Sequence, residues 1–584
     1  MKYNLKAFNN AVKYYEQQLP SFRNKDVFVV FDSKNDKAFF SLAPLSRACH
    51  NLGCELNVRG TDGASPSLDA LADVWKTFDD LSKGIKNKKT VALDNFIKEA
   101  DKKAKGEIRK IFRRPEVFIR ANNNGFAVND ELRLSFRPEW FRKYKWQKLL
   151  ETARIIWAQV YNLKKSEKVG VGFDLILRAK VIKYPLEDYL DSYAIVRTVW
   201  LACYARKKPM SAYTSKKTML EKSERTSELA ATLLGCELEK DINEPVFKKF
   251  RILSELLRLH RFDTNDAAFF IKGEGYPGKH IFGETIGYPT PNKKSRWDSP
   301  GGIVYQLPWY PQTKIDSRAP KSRLAFTDIV PIDIFINSCH IDWLEMKMKN
   351  DALVRLANKS DKIIVQSNKT NLEVGLVRKN KEKVVPMNSD VDVRQMLDPK
   401  SLKKGVKAGT YANIPGGEMF LSPEWMKGVF YGDVVISIDN SYVLCQKNPL
   451  VIKCDEKGYK ILSGPKDIIK KINEKKKEAM KVLLKQEKNK SLPAEIIRMK
   501  KKNYNKIGEF AINTNPKAEL CNYLIVNEKI AGMIHVALGS GFEDDRATVY
   551  HYDIVINAKE QKLDIYGIKG KKKFWMLKKG KLIV

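Results

Sequence analysis

Gly508-Glu509-Phe510-Ala511-Ile512-Asn513-Thr514-Asn515-Pro516 places a carboxylate at the start of an apolar run that an Asn-Pro pair closes. Two runs of similar texture follow, Gly532-Met533-Ile534-His535-Val536-Ala537-Leu538-Gly539 and Tyr550-His551-Tyr552-Asp553-Ile554-Val555-Ile556. Short, apolar and bounded by glycine or proline, all three read as strands. Residues two apart share one face of a strand, so His551 and Asp553 can reach a common point. A buried charge is costly unless it is paired or bound to a metal. One site formed by Glu509, His535, His551 and Asp553, joined by Glu418 from upstream, satisfies every one of them. Imidazoles with carboxylates suit a borderline metal such as zinc, cobalt or manganese. The competing reading is a set of hydrogen-bonded pairs at a barrel edge, with no ion.

Working outward, Ala412-Asn413-Ile414-Pro415-Gly416-Gly417-Glu418-Met419-Phe420 sets Glu418 just after a tight Pro-Gly-Gly turn. Short strands with glycine turns predict a β-rich domain from about residue 400 onward, interrupted by one helix from Pro465 to Gln486. Near the N-terminus, Asp26–Phe31, a helical run at Leu42–Asn51 and Cys54–Val58 give a strand–helix–strand order and predict an α/β layer with a parallel-type sheet. Residues 145–163 and Tyr193–Ala205 read as helices, as do Thr226–Gly235, Pro245–Leu259 and Ile341–Ala357. Asp328–Ile336 reads as a strand, with His340 behind it as a structural histidine. Gly273–Lys321 is loop-rich turn chemistry without a phosphate-binding pattern, and its Trp309 and Tyr310 read as core cover. The expected organisation is therefore α/β followed by α+β. Residues 1–250 form an N-terminal α/β region or extension, 251–400 the remainder of that domain with a loop-rich insertion, and 401–584 the β-rich metal-binding domain.

At 584 residues the chain exceeds one ordinary core. A net charge of +37 suits an anionic partner. The lysines are spread throughout, however, and the clusters at Lys470-Lys471, Lys475–Lys477 and Lys500–Lys502 lack interleaved aromatics. A solvated surface is the simpler reading, and nucleic acid is not expected as a partner. Eight cysteines without a CxxC pair point to a reducing, cytoplasmic setting and away from a cysteine zinc site. The polar N-terminus and the lack of an uncharged 18-residue run predict neither a signal peptide nor a membrane span.

Three ordered blocks, Asn413–Phe420, Gly508–Pro516 and Glu528–Asp553, resemble those of the thermophilic dimetal metallo-aminopeptidases, the aminopeptidase T or leucyl aminopeptidase type. The resemblance covers about residues 345–580. It implies that Glu418, Glu509, His535, His551 and Asp553 hold two divalent ions, with Glu509 or Glu418 as the proton shuttle. It also implies a homodimer that cleaves N-terminal, often leucine-like, residues from peptides with a free N-terminus. Where that family places a tyrosine after the first histidine, this chain has Phe542, which cannot donate a hydrogen bond. Tyr550 or Tyr552 is then the candidate hydroxyl donor. The segment between His535 and His551 is shortened, and the chain upstream of Glu418 is longer than the family's usual N-terminal domain. Two rival functions remain: an inactive aminopeptidase-like binding module, and a basic nucleic-acid-binding protein.

Overall fold

The computed structural model describes residues 3–61, 80–95, 117–141, 145–163, 169–173, 185–204, 267–271, 323–388, 407–541 and 546–584, apart from short stretches at 33, 82, 89, 92–93, 130–131, 409–410, 490–493 and 547. The helices expected at 226–235 and 245–259, and the loop-rich stretch with Trp309 and Tyr310, lie outside these residues.

Apolar Asp26–Asp32 (β1) runs parallel to Glu55–Thr61 (β2). The helix Asp36–Asn51 makes the crossover, its N-terminus capped by the Asn35 side chain, which accepts from the Ala38 amide. Val117–Ala121 (β3) lies parallel on the other side of β1, and Gly125–Val128 (β4) and Leu132–Ser135 (β5) complete a five-stranded sheet. The expectation of a parallel-type sheet is corrected here, because β3, β4 and β5 form an antiparallel meander and the sheet is mixed. The cause is local. Asn122 folds its side chain onto the amides of Asn124 and Gly125, and so short a turn can join only antiparallel strands.

The helix Trp146–Ile155 continues as a wider turn through Val160, and Leu186–Tyr204 is a buried helix onto which Trp157 donates its indole N–H at the Val199 carbonyl. Val169–Phe173 (β6), Ala267–Ile271 (β7) and Arg323–Thr327 (β8) pair in parallel. The strand expected at Asp328–Ile336 is a helix, Ile332–Cys339. Pro331 sits at its N-cap, and Asp191 accepts from the Ile332 amide at 2.8 Å, so the apolar run begins a helix rather than extending a strand. A second helix, Trp343–Lys359, follows, capped by Asp342.

The remainder is β-rich. Lys362–Gln366 (β9) and Asn371–Gly375 (β10) form a hairpin, followed by Met387–Asn388 (β11), Lys407–Ala408 (β12) and Tyr411–Asn413 (β13). Then come Glu418–Leu421 (β14), Trp425–Gly432 (β15), Val435–Ser437 (β16), Ser441–Val443 (β17), Leu450–Asp455 (β18) and Gly458–Ser463 (β19). After the helices Lys466–Lys488 and Ala494–Asn503 lie Ile507–Asn513 (β20), Met533–Gly539 (β21), His551–Asn557 (β22), Asp564–Lys569 (β23), Lys572–Lys578 (β24) and Lys581–Leu582 (β25).

They build two eight-stranded sheets, β19-β18-β15-β10-β9-β23-β24-β25 and β12-β11-β14-β20-β21-β22-β16-β17. Both are antiparallel except for the short β11–β12 pair. Their facing sides share one core that includes Ile363, Val374, Phe430, Phe510, Val536 and Ile554. β9 and β10 lie upstream of the boundary expected at residue 401, yet they form the middle of the first sheet.

β13 leaves this arrangement and adds in parallel to β8, so the four-stranded parallel sheet reads β13-β8-β7-β6. The chain then turns through Gly416 and Gly417 directly into β14. Asn515, fully buried, fastens that turn. Its amide donates to the Gly416 carbonyl at 2.8 Å and the Ser338 carbonyl at 2.9 Å, and its oxygen accepts from the amides of Lys517 and Ala518. Asn515→Ala strands several buried backbone groups, and we expect a loss of about 3 kcal/mol in urea unfolding. A change within experimental error would remove Asn515 as the fastener.

Candidate metal centre

Strand register decides which side chains meet. Glu418 pairs with Asn513, Ala511 with His535, Glu509 with Ala537, Ala537 with Asp553, and Gly539 with His551. Paired residues of an antiparallel ladder project to the same side, and neighbours alternate. Glu418, Glu509, His535, His551 and Asp553 therefore all leave one face of the β14-β20-β21-β22 sheet. The alternate residues Met419, Phe510, Ile512, Ile534, Val536, Leu538 and Ile554 fill the inter-sheet core. Ala511, Ala537 and Gly539 lie among the polar residues, which leaves that face room for large side chains. Just before Glu509 the β20–β21 register shifts. A Cβ on Gly508 would meet the Ser540 carbonyl oxygen at 2.0 Å, so only glycine lets the strands approach there.

Glu509 is central. Its Oε1 lies 3.2 Å from His535 Nε2 and its Oε2 3.7 Å from His551 Nε2. His535 Nε2 is also 3.7 Å from Glu418 Oε2, and His551 Nε2 is 3.0 Å from Asp553 Oδ1. Among the described residues one group, Glu418, Glu509 and His535, brings ligand atoms within 4.8 Å of one another. His551 and Asp553 border that group through Glu509. Each imidazole is oriented by its other nitrogen: His535 Nδ1 lies 2.9 Å from Asn513 Oδ1, and His551 Nδ1 lies 2.6 Å from the Ser540 carbonyl. Donating from Nδ1 leaves Nε2 of each ring aimed at the carboxylates, the arrangement found where histidine ligates a metal.

Two more charges complete the site. Lys529, buried, places Nζ 2.5 Å from Glu418 Oε1 and 2.9 Å from Glu528 Oε1. Both Lys529 and Glu528 come from the loop between β20 and β21. That loop is seated in the N-terminal core through Tyr523, Ile525, Val526 and Ile530, and the Tyr523 hydroxyl donates to Asp188. Burial pushes the Glu418 carboxyl up to about 8 even though Lys529 pulls the other way. Burial likewise raises Glu528, again against Lys529. Burial alone would depress both histidines. The hydrogen bond to Glu509 with the charges of Asp553 and Glu418 holds His535 at about 9, and Asp553 with Glu509 holds His551 at about 10. Proton uptake at both rings measures how strongly this face attracts positive charge.

Glu528 and Lys529 open the third sequence block, but nothing in the sequence assigns their ion pairs at the site, and Asn513 becomes visible only through its register opposite Glu418. The hydroxyl donors expected at Tyr550 and Tyr552 are corrected. Both side chains lie in the inter-sheet core, on the far side of the strand from the histidines. The Tyr550 hydroxyl is bonded to that of Tyr459 at 2.9 Å and to the Tyr504 carbonyl. Phe542 lies outside the described residues. His340 stands apart, 3.1 Å from the Thr152 hydroxyl, in keeping with a structural role.

No family model and no curated protein matches the chain. Among solved structures it is similar to wild-type AmpT from Thermus thermophilus, with 12% identity, a TM-score of 0.38, and coverage of 75% of this chain and 99% of that one. A likeness so distant carries no argument about chemistry, which rests on the site itself. No helix of the described residues is long and apolar enough to cross a membrane.

The protonation pattern gives a signed prediction for protein in chelator. Glu418 titrates near 8 when folded and near 4.5 when unfolded, and the histidines near 9 and 10 instead of 6.5. In all three the folded state holds the proton more tightly. Their contribution is thus full at acid pH and is lost as pH rises from about 5 to about 10. The urea midpoint should fall across that window, and His551→Gln should flatten its upper half. A midpoint that rises with pH there would refute the electrostatic description.

Proposed function

We propose that the chain is a metal-dependent aminopeptidase that removes N-terminal residues from peptides at a dinuclear centre. One observation carries this reading: the two oxygens of Glu509 face two different imidazoles. Glu509 Oε1 would join Glu418 and His535 around one ion, and His551 with Asp553 would hold the other, which leaves Glu509 Oε2 between them. The donor set fits the proposed ions, since three carboxylates and two oriented imidazoles converge on one buried face and hold protons that a cation would displace. Zinc, cobalt or manganese held there would supply a water that is acidic near neutral pH and a polarised substrate carbonyl.

The chain's own groups do the rest. Glu509, with its side chain 12% exposed against 5% for Glu418, is the carboxylate placed to take a proton at Oε2 and return it to the leaving amine. Glu418 is held by Lys529 and serves as a ligand. Glu528, paired with Lys529 through Oε1, is the carboxylate proposed to receive the free α-amine of a peptide, a contact that restricts cleavage to chain ends. The reading includes a homodimer, as the motif resemblance implies, in the reducing, cytoplasmic setting suggested by the cysteine pattern. A catalytically weak or inactive binding module is the second reading. It is favoured by the burial of Tyr550 and Tyr552 in the core, which leaves neither hydroxyl at the site.

A leucyl peptide assay with added cobalt, zinc or manganese separates the two. Free peptides should be cut and N-acetylated ones spared, and Glu509→Gln should reduce turnover at least about 100-fold without unfolding the protein. Cleavage of acetylated peptides, or wild-type turnover in the variant, would sink the proposal. Asn513→Ala should weaken metal binding by about 10- to 100-fold, because His535 loses the partner that orients it. Cobalt titration followed by absorbance reads this directly, and unchanged affinity would take Asn513 out of the site.

A further inference from the structure

The outer face of the β19-β18-β15-β10-β9-β23-β24-β25 sheet has no part in the chemistry above. Its inward residues are core, whereas its outward residues are mostly exposed or half-exposed and strongly basic. Lys453 on β18 lies directly opposite Lys460 on β19, and at the other edge Lys578 on β24 lies directly opposite Lys581 on β25. Like charges facing each other across an antiparallel pair cost stability. The same arrangement at both edges is a repulsion that an anionic partner would relieve. On this face Glu373 is paired with Lys362 and Glu456 with Lys427, Asp455 and Asp564 accept from backbone amides, and Lys453, Lys460, Lys573, Lys578 and Lys581 have no ion pair among the described residues.

Between the two lysine pairs lie aromatic rings. The Trp425 indole lies flat over Gly375, where a Cβ would meet it at 2.2 Å, and Lys427 sits 5.1 Å from the ring. Tyr566 and Trp575 pair across β23 and β24 with centroids 4.8 Å apart, flanked by Lys573 at 4.6 Å and Lys578 at 5.8 Å. Neither tryptophan is fully buried. In sequence these lysines and aromatics are scattered between residues 425 and 581. Strand order alone assembles them.

We propose that this sheet face binds single-stranded nucleic acid, its lysines contacting phosphates and its tryptophans offering stacking surfaces for bases. An open sheet suits splayed single strands, whose bases can lie flat on exposed rings. The face spans about 34 Å along the sheet, from seven strand spacings of about 4.8 Å.

The test is fluorescence anisotropy of full-length protein with labelled oligo-dT and oligo-U across a salt series starting near 50 mM. Affinity should fall log-linearly with salt. Replacing Lys453 and Lys460, or Lys578 and Lys581, by alanine should lower the slope by about 1.4 per pair, and each double variant should melt no lower than wild type. Trp575→Ala should weaken binding roughly tenfold at unchanged slope. No binding at low salt would overturn the proposal, as would a slope indifferent to both lysine pairs. Binding to phosphatidylserine vesicles without binding to oligonucleotide would assign the face to membranes and overturn it equally.

Discussion

Four carboxylates gather beside two imidazoles on one side of a β-sheet, and the surrounding structure answers that concentration of like charge. Glu418, Glu509, Glu528 and Asp553 would repel one another at close range in a medium of low polarisability. Lys529 offsets part of this, and proton uptake at His535 and His551 offsets more. The protons taken up at Glu418, His535 and His551 are those a bound cation would displace, and that exchange is the physical basis for reading the face as a cation site. The rest of the fold holds these groups close despite their repulsion.

That restraint comes from both parts of the chain. Strand pairing fixes Glu509, His535, His551 and Asp553, because three adjacent antiparallel strands leave little freedom at their centre. Glu418 and Lys529 are fixed differently. Glu418 follows a turn anchored by β13 in the N-terminal parallel sheet, and Lys529 hangs from a loop packed into the N-terminal core. The ion pair between them is assembled from two excursions into the neighbouring unit. This gives the long upstream region a physical part in the site, one that composition alone did not suggest.

Much of this was legible in the residues. β20, β21 and β22 follow from apolar runs with glycine and proline at their ends, and the polar residues quoted from those runs, with Glu418, do lie on one face. Other features resist such reading because they depend on pairing. Asp328–Ile336 has a strand's composition, but Pro331 and the carboxylate of Asp191 start a helix there. The hairpin of β3 and β4 is closed by a single asparagine side chain. Tyr550 and Tyr552 flank His551 in sequence and, for that very reason, alternate to the opposite face. The lysine-rich sheet surface is invisible to spacing, since Trp425 on β15 and Trp575 on β24 come to share one face only through strand order.

The crossing of β13 into the parallel sheet also bears on how this polypeptide can be divided. Its most obvious seam, ahead of the β-rich part, runs between Glu418 and the strand that anchors its approach. A fragment starting at residue 414 would retain every ligand residue yet lose β9 and β10 from the middle of one sheet, the strands that anchor the approach to Glu418, and the apolar bed of the Lys529 loop. The protein is therefore indivisible at the place where its composition changes most. Swapping the β-rich part onto another N-terminal unit would require carrying β8 and the Ser338 carbonyl along with it.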